Sequence, residues 1–308
     1  MIEDELMLAI DIGGTKIDVG ICDIDGRIAA RARMSTPAEP DPDQLFRMVE
    51  TFLSDFIAQS SDERSDRTLL ACGVGCGGPM QRTPSTVSPL NIPAWRDFPL
   101  AARLEEAIGM PVTVDNDAKA LALGEGWKGA GRGRKNFMAM VVSTGVGGGI
   151  VLDGKLLHGD QGNAGHVGHV VVEPGGRLCA CGARGCLEAE VSGRSIEAIT
   201  GRAAAAADPD MVARAGLLVG RAVASVSNLL DLELTLVAGS VALGFGKPFF
   251  DEANAEMARC CKLDFSVAST VEPAGLGESG PLVGAAAVGW NAVGVDILAA
   301  GDPVKWSP

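Results

Sequence analysis

The 308-residue chain has no tyrosine, only three histidines, and 4% aromatic residues in all. A nucleic-acid surface built from stacked rings has little to draw on. Basic residues are also few: 26 Lys and Arg stand against 39 Asp and Glu, a net charge of −13. A chain this acidic lacks the electrostatic footprint of a DNA or RNA binder. Long hydrophobic runs are missing, because glycine or charge interrupts every apolar stretch before the ~20 residues a membrane helix needs. The opening Met1-Ile2-Glu3-Asp4-Glu5-Leu6-Met7 carries neither the basic nor the apolar part of a secretory signal. These absences predict a soluble cytoplasmic protein with no nucleic-acid and no membrane partner. In a reducing compartment the 8 cysteines are not expected to form a disulfide framework, and clustered ones read as metal ligands.

Hydrophobic residues make up 47% and charged residues 21%, which excludes disorder as the main state. The length favours two lobes over one core. The 41 glycines, about twice average usage, suggest places where backbone approaches a ligand. The pattern over residues 7–33 reads strand, Gly turn (Asp11-Ile12-Gly13-Gly14-Thr15-Lys16), strand, Asp25-Gly26 hairpin turn, strand. A helix follows, with Leu45, Met48, Val49, Phe52, Leu53, Phe56 and Ile57 at helical spacing. A buried strand over 68–74 then runs into Gly75-Cys76-Gly77-Gly78-Pro79. A further helix starts at Pro99 and stops at Gly109. A strand over 112–114 ends at Asp115-Asn116-Asp117, with a helix beyond it. Residues 137–157 repeat the opening: strand, Gly turn (Ser143-Thr144-Gly145-Val146-Gly147-Gly148-Gly149), strand, Asp153-Gly154, strand. Two such units predict an internal duplication, although Gly-turn hairpins are common enough to recur by chance. A helix over 209–230, a strand over 234–238 ending at Gly239-Ser240, and a last helix near Pro281 complete the pattern. In that last helix Gly284-Ala285-Ala286-Ala287 are small enough for close packing.

Three constellations carry chemistry. The two Gly turns each follow a strand and offer backbone N–H groups with no Cβ in the way of an anion. Neither is a Walker loop or a dinucleotide fingerprint. Each alone reads equally well as a tight hairpin, but as a pair they suggest two jaws for a nucleotide polyphosphate. His169, Cys179, Cys181 and Cys186 offer four ligands suited to a closed tetrahedral zinc site. The remaining cysteines, Cys22, Cys72, Cys76, Cys260 and Cys261, sit in apolar contexts and read as core residues. Asp115-Asn116-Asp117 could cap a helix. A carboxylate at a helix N-terminus is also favoured in its charged form by the dipole and could take a proton from an attacking hydroxyl.

Taken in order, Asp11 to Lys16, Asp115-Asn116-Asp117-Ala118, Ser143 to Gly149, Gly168-His169 and Cys-x-Cys-Gly-x-x-Gly-Cys-x-Glu resemble the ROK family of bacterial sugar kinases and repressors. The resemblance covers nearly the whole chain, and the cysteine segment is its most specific part. It implies an α/β, two-lobed, actin-like fold of the ribonuclease H and hexokinase type. The lobes are expected at 1–117 plus 290–308 (smaller) and 118–289 (larger, with the zinc loop), with ATP and sugar in the cleft. It also implies ATP-dependent phosphorylation of a hexose, with glucose at its 6-hydroxyl the leading substrate, by a homodimer or homotetramer. N-acetylmannosamine or N-acetylglucosamine is the alternative substrate. A sugar-sensing repressor would need a helix-turn-helix before the first Gly turn, for which these ten residues leave no room. A catalytically dead sugar-binding protein is disfavoured by the intact Asp117 and both Gly turns.

Carried over residue by residue, Asp117 resembles the general base. Gly77, Gly78, Asn116, Asp117, His166, His169 and Glu188 resemble the sugar ligands. Asp11 would approach the Mg²⁺ shell, and Gly13, Gly14, Thr15, Lys16, Thr144, Gly145, Gly147 and Gly239 the ATP. His169 would hold structural Zn²⁺ with Cys179, Cys181 and Cys186 through one ring nitrogen, and turn the other toward a sugar hydroxyl. The family's kinases usually read Glu-x-Gly-His where this chain has His166-Val167-Gly168-His169, and some members carry histidine there. A carboxylate accepts two hydrogen bonds, whereas a neutral imidazole accepts one and donates one. His166 either meets the sugar or fills space beside the zinc loop.

Overall fold

The computed structural model describes residues 4–38, 41–64, 67–82 and 85–299. Residues 39–40 of the acidic loop and 300–308 of the expected smaller lobe lie outside them. Contacts divide the chain into two units. The first holds Met1–Gly133, His158–Ala164 and Glu278–Pro308; the second holds Arg134–Leu157 and Gly165–Gly277.

The first unit begins with an antiparallel meander, β1 (Glu5–Ile12), β2 (Lys16–Cys22) and β3 (Ile28–Ser35). Helix α1 (Pro42–Gln59) starts where the Asp41 side chain accepts hydrogen bonds from Asp43 N and Gln44 N, satisfying donors that the first turn leaves over. Its buried face is Leu45, Phe46, Val49, Leu53 and Phe56, whereas Met48, placed on that face by spacing, is exposed. After α2 (Ser61–Arg64) come β4 (Thr68–Cys76), a small hairpin of β5 (Met80–Arg82) and β6 (Ser85–Val87), α3 (Leu100–Ile108), β7 (Val112–Asn116) and α4 (Asp117–Lys128). Gly109 ends α3 in the left-handed conformation, φ 68°.

The second unit repeats the opening with β8 (Phe137–Val142), β9 (Val146–Leu152) and β10 (Lys155–Leu156). Then follow α5 (Leu187–Val191), α6 (Gly193–Thr200), α7 (Pro209–Leu230), β11 (Leu234–Ala238), α8 (Ser240–Phe245), α9 (Lys247–Cys260) and β12 (Thr270–Pro273). Finally α10 (Gly280–Ala292) rejoins the first unit.

The strand orders are β3-β2-β1-β4-β7 in one unit and β10-β9-β8-β11-β12 in the other. In both, a three-stranded meander leads into two strands added in parallel. This is the duplication that the paired Gly turns suggested. The core of the first unit joins Leu6, Leu8 and Ile10 to Val49, Leu53, Trp95 and Leu104. That of the second joins Met138 and Met140 to Val219, Val223, Phe249 and Ala253.

The sequence reading gave the helix after Asp117 to the larger lobe. In the structure α4 is buried from Ala118 through Trp127 and packs on α10 within the first unit. The small residues of α10 make this possible: a Cβ on Gly284 would lie 2.6 Å from the Ala120 carbonyl oxygen. The opposite side of α10 lies on the sheet, where a Cβ on Gly73 would overlap the Ala285 carbonyl oxygen and the Gly289 nitrogen. A methyl there has nowhere to go except by displacing backbone. Gly73→Ala is therefore expected to destabilise the protein by about 1–3 kcal/mol or more, the usual range for overpacking. Urea denaturation checks this, and an unchanged midpoint would contradict the packing.

Candidate functional site

Parallel pairing brings the first unit's polar residues to the carboxyl ends of its strands. Asp11 on β1 lies opposite Gly75 on β4, and Gly75 opposite Asp115 on β7. One step on, Ile12, Cys76 and Asn116 are in register. Ligands of open α/β sheets bind at this end. Gly75 has no side chain to fill the space: a Cβ there would lie 3.4 Å from Asp11 Oδ1 and 3.5 Å from Asp117 Cα. Gly77 and Gly78 continue directly from β4, with Leu90 N donating to Gly78 O at 3.2 Å.

Asn116 is the N-cap of α4, and its Oδ1 accepts from Ala118 N at 3.1 Å. Asp117 is the first helical residue and accepts from the same N–H at 2.8 Å. The capping explanation therefore holds for Asn116 through its oxygen, while its amide donors are not used in the cap. Asp11 is strongly perturbed. Burial, then the charges of Asp117 and Asp18, push it up to about 7, against the pull of Lys16 and Arg33. Carboxylates that repel one another in a poorly solvated place are what a divalent cation relieves, so the donor set at Asp11 fits Mg²⁺.

The first Gly turn closes with Gly13 N donating to Lys16 O at 2.9 Å, and Thr36 ties it down through its hydroxyl to Gly13 O (2.8 Å) and its N–H to Thr15 O (3.0 Å). A Cβ on Gly14 would meet Asn91 at 2.6 Å, so packing also demands that glycine. Lys16 Nζ pairs with Asp18 at 3.2 Å, and Arg33 Nε reaches the same carboxylate at 2.5 Å. Burial alone would raise Asp18, but these two hydrogen-bonding cations hold its carboxyl below the usual range.

In the second unit the turn between β8 and β9 is shorter than the sequence reading had it. Ser143, Thr144 and Gly145 form it, closed by Ser143 N donating to Gly145 O at 2.9 Å, while Gly147 to Gly149 are already ladder residues of β9. Gly239, φ 101°, starts α8 against the backbone of Val142, and Ser240 Oγ lies 3.0 Å from Ser143 Oγ. The two turns thus meet at the carboxyl ends of β8 and β11, whose register pairs Val141 with Ala238. Glu188 is engaged rather than loosely solvated. Its Oε2 accepts from Val146 N at 2.8 Å, and Gly193 N donates to Ser143 O at 2.7 Å, so α5 and α6 brace both ends of the 143–145 turn.

His169, Cys179, Cys181 and Cys186 form a tight cluster, their ligand atoms all within 4.8 Å of one another. Cys181 Sγ and Cys186 Sγ are 3.7 Å apart, and Cys179 Sγ is 3.6 Å from His169 Nδ1. Tetrahedral bonds of ~2.3 Å to sulfur and ~2.0–2.1 Å to nitrogen require S···S of about 3.8 Å and S···N of about 3.5–3.6 Å. The residues fit zinc, and Nδ1 is the nitrogen turned to the cluster. The loop reaches this shape at Gly185, φ 78°, where a Cβ would run into the Glu173 carbonyl. Buried Glu190 holds its base, accepting from Arg177 N at 2.7 Å and from Arg214 Nη2 at 2.7 Å. His166 begins the short 3-10 turn that carries His169, its ring 6.1 Å from the His169 ring and inclined by 19°.

Of the other cysteines, Cys22, Cys72, Cys76 and Cys261 are buried as read, but Cys260 is exposed at the end of α9. Cys260 is the last residue of α9, and the helix ends before the covered Cys261. Sequence reasoning also missed Lys119, His158 and Asn163, which join the first unit's site region to residues 158–164. The i,i+4 spacing of Asp115 and Lys119 was the one available signal. Among the described residues, no helix is long and apolar enough to cross a membrane.

A model of the ROK family matches residues 7–291. The chain is 35% identical over 260 residues to a glucokinase of Halalkalibacterium halodurans, covering 82% of this chain and 77% of that one. It is 36% identical over 260 residues to an N-acetylmannosamine kinase of Yersinia pestis, covering 78% and 84%. A solved ROK family glucokinase from Streptomyces griseus, in complex with glucose and AMPPNP, superposes with a TM-score of 0.77 at 30% identity, over 91% of this chain and 98% of that one. The fold class is accordingly the α/β, actin-like fold of the sugar kinases. With the match extending over residues 7–291 and both sheets repeating one strand order, the chain belongs to the ROK family.

Proposed function

We propose that this chain transfers the γ-phosphoryl group of ATP to a hexose, with glucose the leading substrate and its 6-hydroxyl the acceptor. The observation that supports this most is the convergence of Asp11, Gly75 and the Asp115-Asn116-Asp117 run at the carboxyl ends of three strands. In this reading Asp117 accepts the hydroxyl proton as the sugar oxygen attacks phosphorus. The new O–P bond forms as the bond from Pγ to the β,γ-bridging oxygen breaks, and ADP leaves with that electron pair. The helix start beneath Asp117 favours its charged form. Asn116 presents its amide donors, and Gly77 and Gly78 their backbone, to hydroxyls. Asp11 would belong to the Mg²⁺ shell, and Mg²⁺ supplies charge neutralisation on the phosphates. Gly13, Gly14, Thr15 and Lys16 in the first unit, and Thr144, Gly145 and Gly239 in the second, offer N–H groups, a hydroxyl and a cation to the nucleotide. Gly147, on β9 opposite Val141, completes the proposed nucleotide-binding set.

Asp117→Asn keeps the shape and removes the base. Turnover is expected to fall by roughly 10²–10⁴-fold, measured as sugar-dependent ADP release. Activity near that of the parent protein would remove Asp117 from this role.

His166, His169 and Glu188 are the second unit's proposed sugar ligands. The near-parallel imidazoles of His166 and His169 support a shared orientation toward hydroxyls. His166→Ala is expected to raise the hexose KM more than it lowers kcat, the mark of a contact made equally in the ground and transition states. An unchanged KM with intact zinc content would leave His166 as a space-filling residue.

We assign the Cys/His cluster to one structural Zn²⁺, whose contribution is to hold the 169–186 loop and, through Cys186 at the start of α5, the base of Glu188. Metal analysis of purified protein is expected to find about one zinc per chain, as a four-ligand closed site implies, and less in Cys181→Ser. A content well below one in the parent protein would count against the assignment. The Yersinia pestis relative favours an N-acetylhexosamine as the second substrate reading.

A further inference from the structure

Lys119 is 1% exposed, in a helix that is buried from Ala118 to Trp127. Its ammonium has three protons, and three acceptors meet them: Asp115 Oδ1 at 2.6 Å, His158 Nδ1 at 3.0 Å and Gly162 O at 3.0 Å. The group is saturated, so no proton remains to grip a phosphate. It cannot serve as the general base either, because an ammonium has no lone pair. A lysine in this state must act through what it holds.

It holds two things. One is Asp115, whose Oδ1 also accepts from Asn116 N at 2.8 Å, so Lys119 braces the strand-to-helix junction that presents Asn116 and Asp117. The other is the segment His158–Ala164, which lies in sequence between two stretches of the second unit and packs with the first. A second grip acts on the same segment: Asn163 Oδ1 accepts from Met80 N at 2.9 Å, and its Nδ2 donates to Met80 O at 2.8 Å. Within the segment, Ala164 N donates to His158 O at 2.9 Å, which makes it a compact loop. Burial, followed by the Lys119 charge, holds His158 below its ordinary pKa, in keeping with a neutral ring that accepts from the ammonium.

We infer that Lys119 is a positioning residue for hexose binding, setting with one buried ammonium the Asn116–Asp117 junction and tethering the 158–164 segment beside it. This rests on the reading above that those residues meet the sugar. Losing a charged hydrogen-bond hub of this kind loosens geometry rather than chemistry, so its effect belongs on sugar affinity.

The test compares the full-length parent protein with Lys119→Met and, as a milder change that leaves the Lys119–Asp115 pair intact, His158→Ala. Steady-state kinetics with glucose and Mg-ATP are expected to show the hexose KM raised about tenfold in Lys119→Met and less in His158→Ala, with the ATP KM within about twofold. A merely structural role would lower the active fraction, and so kcat, with the hexose KM unchanged; that result in soluble, folded variants overturns the inference. Hydrogen exchange of the amides at 158–164 gives a readout independent of turnover. Faster exchange there in either variant supports the inference, and unchanged exchange overturns it. A parent protein with no hexose turnover would instead sink the proposed function, while the exchange result would still decide the strut.

Discussion

The register of β1, β4 and β7 is the constraint on which the first unit depends. Because the three strands run parallel and pair without slip at their carboxyl ends, Asp11, Gly75 and Asp115 lie side by side, and the next residues of each strand are delivered to one edge. A one-residue slip would send alternate side chains to the other face. Gly75 lies between Asp11 and the start of the helix at Asp117, and burial, then the charges of Asp117 and Asp18, raises Asp11 to about 7. Repulsion and burial that Lys16 and Arg33 offset only in part are poor design for stability alone. They suit a site where a metal-bearing substrate completes the charge.

Helix α10 keeps that edge in place from behind. Its small residues let it lie on Gly73 on one side and on the Ala120 backbone on the other, so the sheet and the helix that starts at Asp117 are locked to a common support. The second unit solves a similar problem differently. There the 143–145 turn is braced by Glu188 and Gly193 from α5 and α6, and α5 begins at a proposed zinc ligand. The proposed metal and the turn thus share one short stretch of chain, 186–193.

Much of this was legible in the sequence because it rests on local rules. The Gly turns, the Asp-Gly hairpin turns, the Pro99 start and Gly109 stop, and the strand before Asp115 each follow from backbone preferences of a few residues. The duplication was legible because both copies use the same turn chemistry. The Cys cluster was legible from its spacing, and its Cys181–Cys186 and Cys179–His169 distances suit tetrahedral zinc. What escaped needed tertiary knowledge. Lys119 looks like a solvated helix charge until the fold buries it. His158 and Asn163 lie in a segment without periodicity, and nothing local shows that it leaves the second unit to pack with the first. Cys260 was misjudged because it is the exposed last residue of α9, and the chain leaves the helix in extended conformation at Cys261, which is covered. The placement of α4 followed from packing on α10, an element more than a hundred residues away.

The central claim is phosphoryl transfer from ATP to a hexose hydroxyl. The most direct test is product analysis by phosphorus NMR after incubating the purified protein with Mg-ATP and, separately, glucose and N-acetylmannosamine. The account predicts a sugar 6-phosphate with glucose, formed in step with ADP. Release of inorganic phosphate at the same rate with and without sugar, and no phosphorylated product from either sugar, would contradict it.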